Sequence, residues 1–328
     1  MRALIVLVCM CIMAGGGHGL AAAIRTGKYD ADGRYPVNIA TLRAPSGNGS
    51  FVATAYIPGG RGPFPVVIFS SGFLQKGDAY APYARRLASW GMIALLRDDP
   101  DILSDLGRGI DLQAGSKPAY AGGRNDAAAT NGLVSDLMSE VDWLQREASN
   151  DPASPLYRKV ERDRIGLAGH SHGAQAALLA AEQLRKRIKG VFALDPVDLP
   201  LGPQARYGLA NLGVPAVLLG ETTNSSPLSC APSWHNYQML YRYAASGTVM
   251  MTAMGADHTM FEDAAFCSFC WLCSKGTANA PEVLAYSVRY LTAFFARELL
   301  KDERVGARFE GAGAQADVEA GRIEISVK

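Results

Sequence analysis

The stretch Arg164-Ile165-Gly166-Leu167-Ala168-Gly169-His170-Ser171-His172-Gly173-Ala174-Gln175-Ala176-Ala177 decides how the rest of this chain is read. A short apolar run over 165–168 ends in Gly169-His170-Ser171-His172-Gly173, and small residues at helical spacing (Ala174, Ala177, Ala181) follow at once. Strand, sharp turn and helix is the context in which G-x-S-x-G makes a nucleophile elbow, with the serine hydroxyl lifted above the sheet edge on a strained backbone. Glycine at 169 and 173 lets the strand and helix backbones converge where a β-carbon would collide. The competing reading is a glycine-rich turn whose serine only caps the helix. In a chain with 35 glycines the motif arises readily by chance, so its flanks carry the argument.

Working outward, the continuous apolar runs 64–70, 92–96, 191–194 and 216–219 have the character of strands buried on both faces. A further strand is expected over 248–254. Helical patterns fall between them, at 80–90, 126–146 (Leu133, Leu137, Val141 and Leu144 on one stripe), from the elbow to about Lys186, at 234–243 and at 281–300. Residues 35–44 and 50–57 alternate in polarity and predict an antiparallel pair at one edge. Strands alternating with helices imply a mostly parallel central sheet with helices on both faces, an α/β fold. Residues 103–124 are polar and Gly-rich and predict a long surface excursion. The segment 301–328 reads as a charged, Gly-rich tail with an edge strand at 322–327.

At the other end, Arg2, an apolar run over 3–14, three glycines and Ala21-Ala22-Ala23 predict an export signal cut near Ala23, since twelve apolar residues are too few to span a bilayer. Cys9 and Cys11 lie inside that segment without the small residue that usually precedes a lipid-anchored cysteine. The expected mature protein is periplasmic or secreted, has no integral membrane segment, and consists of one domain over 24–300 followed by the tail. Loss of Arg2 leaves 31 basic against 31 acidic residues, which supplies no electrostatic reason to expect nucleic acid as a partner. Cys230, Cys267, Cys270 and Cys273 remain; export favours disulfides among them, which would stiffen the region after residue 258, over a four-thiolate zinc site.

A serine hydroxyl at neutral pH needs a base to take its proton. Of the five histidines, His18 leaves with the signal, and His170 and His172 sit so close to Ser171 in sequence that their side chains diverge from it. His258 follows the last expected buried strand, where the chain order nucleophile, acid, base puts the base. His235 begins a helical stretch and suits a capping or surface role better. The acid has two candidates at carboxyl ends of expected strands, Asp195 and Glu221, with Asp198 a weaker third; ligands and catalytic groups gather on that rim, so position alone does not separate them. An Asp-Pro turn ending a strand is the plain alternative for Asp195. The amides of His172 and of Phe73, in the loop after the run 64–70, are placed to form an oxyanion hole.

These segments resemble the chlorophyllase-like branch of the α/β-hydrolases, with kinship to platelet-activating-factor acetylhydrolases and cutinase-type polyester hydrolases. The likeness is carried by residues 64–74 (Phe-Pro-Val-Val-Ile-Phe-Ser-Ser-Gly-Phe-Leu), 87–92, the elbow, Ala193-Leu194-Asp195-Pro196-Val197-Asp198, Gly220-Glu221, Cys230-Ala231-Pro232 and Asp257-His258-Thr259-Met260-Phe261, and it spans roughly 35–300. The resemblance implies an α/β-hydrolase fold, hydrolysis of a small-molecule or lipid-like carboxylic ester without metal or cofactor, Asp195 as acid with Glu221 as the alternative, and His258 as base. The chain departs from chlorophyllases at His172-Gly173-Ala174, where they typically have Arg-Gly-Gly, and at Ser70-Ser71, where many have Leu-His; ester hydrolysis carries over and pheophytin-type substrates do not. The rival expectations are a catalytically silent member that binds a lipid or polymer, or another hydrolase of the same fold such as a phospholipase A2-type acetylhydrolase or a peptidase.

Overall fold

A computed structural model describes residues 28–46, 49–73, 75–97, 124–198, 203–223, 230–263 and 273–328. The export signal expected over 1–23, the excursion expected over 103–124 apart from Arg124, and Cys267 and Cys270 lie outside the described residues.

The chain builds one nine-stranded sheet in the order β1-β2-β4-β3-β5-β6-β7-β8-β9. Its strands are β1 (Val37–Ser46), β2 (Gly49–Pro58), β3 (Phe64–Ser70), β4 (Ile93–Arg97), β5 (Val160–His170), β6 (Val191–Leu194), β7 (Ala216–Glu221), β8 (Val249–Ala253) and β9 (Ile323–Val327). From β4 through β8 every neighbouring pair is parallel; β1 pairs antiparallel with β2, β2 with β4, and β9 with β8. The expected edge hairpin is thus the β1–β2 pair. β5 is longer than its apolar run, because polar residues from Val160 onward extend the strand before the buried stretch begins.

The helices are α1 (Ala81–Ser89), α2 (Arg124–Arg146), α3 (Ser171–Leu184), α4 (Tyr237–Tyr243), α5 (Ala280–Leu300) and α6 (Ala314–Glu319). Side chains alternate along each central strand, and the two sets bury against different helices. Val66, Ile68, Leu167, Ala193 and Leu218 face α2, α3 and α4. Val67, Phe69, Ala168, Phe192 and Leu219 face α1 and α5. The apolar stripe foreseen on the helix after the excursion is the buried face of α2, since Leu133, Leu137, Val141 and Leu144 all sit in the first of these layers. Among the described residues, no helix is long and apolar enough to cross a membrane.

Helix ends follow local chemistry. The helix expected over 80–90 is α1, preceded by a 3-10 turn (Gly77–Tyr80), with Pro82 in the first turn of α1, where a missing N–H costs nothing. Asn236 caps α4 by accepting from the Gln238 amide, so that helix begins later than its sequence pattern suggested. Asn279 caps α5 in the same way, accepting from Glu282. Beyond Leu300 the chain adds α6 and then β9, whose register runs from Ile323 opposite Ala253 to Val327 opposite Val249.

Strand order reverses between β3 and β5, because β4 lies to one side of β3 and β5 to the other. In an open parallel sheet such a reversal leaves a crevice at the carboxyl ends of the strands, where ligands bind. Ser70 and Gly169 stand opposite each other in register at the top of that crevice, which brings the loop after β3 and the turn into α3 side by side.

Candidate active site

β5 ends at His170 in extended conformation, and Ser171 opens α3 with φ of +55°. That left-handed backbone is costly for a residue with a β-carbon and persists only where the surroundings hold it. Here they do. A β-carbon at Gly169 would come within 2.5 Å of the Gly173 carbonyl oxygen, and one at Gly173 within 2.2 Å of the Ser71 and 2.3 Å of the Ser70 carbonyl oxygens. Both glycines of the motif are therefore demanded by close backbone approach.

His258 begins a 3-10 turn (His258–Phe261) just after β8. Its Nε2 lies 2.9 Å from Ser171 Oγ, and its Nδ1 lies 2.6 Å from Asp195 Oδ2. The carboxylate can only accept, so Nδ1 carries the proton and Nε2 is the free acceptor facing the hydroxyl. Asp195 follows β6, is fully buried, and also has a left-handed backbone, with φ of +37°. Its amide donates to the Leu219 carbonyl at 2.6 Å.

No protein-family model matches the chain, and no curated protein matches it.

The two acid candidates are differentiated by contact and by charge. Burial pushes the Asp195 carboxyl above its ordinary value while the His258 imidazole pulls it back down. Burial, and then the neighbouring Asp195, push Glu221 up to about 9. Two close carboxyls do not readily both ionise, so at neutral pH the charge sits on the one touching the imidazole. Glu221 instead accepts the Thr223 amide. Asp198, the weaker third candidate, is engaged elsewhere: Oδ1 accepts from Gln175 and from the Ala205 amide, and Oδ2 from Arg206. His235 accepts from Arg206 through Nδ1 at 2.8 Å and packs its ring on Trp234.

His172 is the second residue of α3, where backbone amides have no partner within the helix. Its side chain leads away from the crevice to Thr130 Oγ1, 2.8 Å from Nε2, and burial lowers the imidazole to about 4, so the ring is neutral. Phe73 lies in the turn after β3, half-buried, beside the elbow. The Ser70 and Ser71 carbonyls resting on Gly173 hold that turn against the start of α3.

Several residues in the site escaped the sequence reading. Asp257 accepts from the Thr259 amide at 2.9 Å and hydroxyl at 2.6 Å with one oxygen and from the Gly276 amide at 2.8 Å with the other, so it clamps the turn that presents His258. The signal was there: Asp257 followed two residues later by Thr259 is an N-cap pattern. Tyr80 comes from a segment with no motif, and Glu262 lies just past the stretch Asp257 to Phe261. His170 does point away from the serine hydroxyl, yet its ring stacks on that of His258 with centroids 4.6 Å apart.

Cys230 and Cys273 form a disulfide with Cα atoms 5.4 Å apart. It joins the segment before α4 to the segment between the His258 turn and α5, so one of the expected stiffening bridges is present. The four-thiolate zinc site weighed against disulfides does not fit, because two of the sulfurs it requires are bonded to each other.

Proposed function

We propose that the protein is an exported serine hydrolase of the α/β-hydrolase fold that cleaves carboxylic esters through an acyl-enzyme. The observation that carries this reading is the continuous line Ser171 Oγ, His258 Nε2, His258 Nδ1, Asp195 Oδ2, with steps of 2.9 and 2.6 Å, at the reversal point of the sheet. Serine, base and acid come from three separate strand ends, and nothing in packing alone calls for a polar line there. The strand order β1-β2-β4-β3-β5-β6-β7-β8 and the serine on a left-handed turn support the fold assignment.

In this mechanism Ser171 Oγ attacks the ester carbonyl carbon as its proton passes to His258 Nε2. The imidazolium that forms is stabilised by Asp195, which remains ionised. The carbonyl oxygen becomes an oxyanion between the amides of His172 and Phe73. As the tetrahedral adduct collapses, the carbon–oxygen bond to the alcohol breaks and the alcohol takes the Nε2 proton. Water then repeats the sequence on the acyl-serine, regenerating Ser171 and releasing the acid.

The test is hydrolysis of short-chain p-nitrophenyl esters together with labelling by a fluorophosphonate, which reacts only with an activated serine. Wild type should be labelled at Ser171 and should turn over the esters. Ser171→Ala should lose the label and at least about three powers of ten in kcat. An unchanged rate in Ser171→Ala would refute the assignment, and a wild type that folds but neither labels nor turns over would favour the silent binding protein.

A further inference from the structure

Behind the serine–imidazole–carboxylate line runs a second chain of buried polar contacts. His170 Nε2 lies 3.0 Å from the backbone carbonyl oxygen of His258, and a carbonyl only accepts, so Nε2 bears the proton. Burial, reinforced by the neighbouring His258 ring, holds the His170 pKa well below its ordinary value, so the ring is neutral and Nδ1 must accept. Tyr80 Oη is 2.9 Å from Nδ1 and supplies the proton. The same phenol oxygen accepts the Gly72 amide at 3.1 Å. Glu262 Oε2 also stands 3.3 Å from the phenol; the phenol's one proton goes to the nearer Nδ1, and burial, which pushes Glu262 up to about 7, favours a carboxyl that keeps a proton of its own at this contact.

These contacts leave no slack. A β-carbon at Gly72 would lie 3.0 Å from Tyr80 Oη and 3.1 Å from His170 Nδ1, so a larger residue there would press on both partners and they would have to give by a few tenths of an ångström. Gly72 is the residue before Phe73. The carbonyl that receives His170 belongs to the residue whose ring faces Ser171. One imidazole thus has the turn of the base at one end and, through one tyrosine, the loop of the oxyanion amide at the other.

We propose that His170 is a positioning residue which, through Tyr80, fixes the His258 turn and the Gly72-Phe73 loop in one geometry about Ser171. The proposal rests on the serine-hydrolase reading above. His170 makes no hydrogen bond to a reacting atom, although its ring also stacks on that of His258. Its action passes through the His258 backbone and the Gly72 amide, and it matters because acyl transfer needs base and oxyanion donors aimed before charge develops; small displacements there are expensive in rate.

Tyr80→Phe keeps the ring and removes only the hydroxyl. With p-nitrophenyl acetate, its kcat should fall about ten- to a hundredfold while KM moves by less than about threefold. His170→Ala should fall similarly, and the double variant should fall no further than the worse single one, since both cut the same link. His170→Gln, whose side-chain N–H can reach the His258 carbonyl, should recover activity relative to His170→Ala. Nitrogen-15 NMR of the histidine rings should show His170 as the Nε2–H tautomer, untitrated from about pH 5 to 8, with its Nδ1 resonance displaced in Tyr80→Phe. Unchanged kcat in both single variants, additive losses in the double variant, or a His170 that titrates near about 6.5 would each overturn the proposal. Wild-type activity separates the two failures: an inert wild type refutes the hydrolase reading and this proposal with it, whereas an active wild type with unaffected variants refutes the proposal alone.

Discussion

Glu140 offers a quantitative test of the fold that does not depend on any activity. It sits on the inner face of α2 with 1% of its surface exposed, and neither carboxyl oxygen has a hydrogen-bond partner among the described residues. Burial pushes its carboxyl up to about 8, with the Arg97 charge opposing and Asp136 adding to the rise. A carboxyl whose folded value is raised above the unfolded 4.5 keeps a proton that the unfolded chain gives up, so its stability contribution is intact below 4.5 and is lost as pH climbs to about 8. At about 1.36 kcal/mol per pH unit across that window, the loss at neutral pH is about 3 kcal/mol. Glu140→Gln has nearly the same shape and cannot ionise. Urea titrations should therefore find the two proteins within about 1 kcal/mol of each other near pH 4.5, with the glutamine variant more stable by about 3 kcal/mol near pH 7. A difference between the two that stays constant across this range would refute the placement of Glu140 in a dry core.

Four further perturbations address the site and its supports. Asp195→Asn should lower ester turnover by about three to four powers of ten, because an amide cannot hold the His258 tautomer; Glu221→Gln should stay within about threefold of wild type, since that carboxyl is already protonated at neutral pH. Gly173→Ala drives a methyl into two backbone carbonyls of the loop after β3, and a melting curve should show a loss of about 3 kcal/mol or more along with loss of fluorophosphonate labelling. Replacing Cys230 and Cys273 together by serine opens a loop with a sequence separation of 43. Denaturation should record a loss of up to about 4 kcal/mol from the greater entropy of the unfolded chain.

Much of the central sheet was legible because each strand buried on both faces announces itself within a few consecutive residues, as Val66 to Phe69 and Val191 to Leu194 do. The elbow was legible for the same reason: glycine, serine, glycine and their flanks all lie within one short window. The choice of His258 followed from elimination among five histidines together with its place after the last expected buried strand. What local pattern does not encode is which of two strand ends turns inward. Asp195 and Glu221 both end apolar runs, and they differ in what the fold brings to them: Asp195, on a backbone of positive φ, meets His258, while Glu221 accepts the Thr223 amide. Tyr80 was equally invisible, since it sits 90 residues from its partner His170 and looks like any apolar residue of a helical stretch. The edge strand expected at 322–327 is β9, but its partner β8 was not legible, because alternation at an edge strand is weak: of its residues, only Ile323 is buried.

Both Ser171 and Asp195 are held in backbone conformations that glycine would adopt without penalty. Relaxing either one lowers the energy of the fold while removing a group on which the proposed chemistry depends. Selection for heat resistance alone, applied to a library of this protein, would therefore enrich glycine at these two positions and drift toward robust but inert variants. A screen meant to yield a durable catalyst has to score turnover in every round.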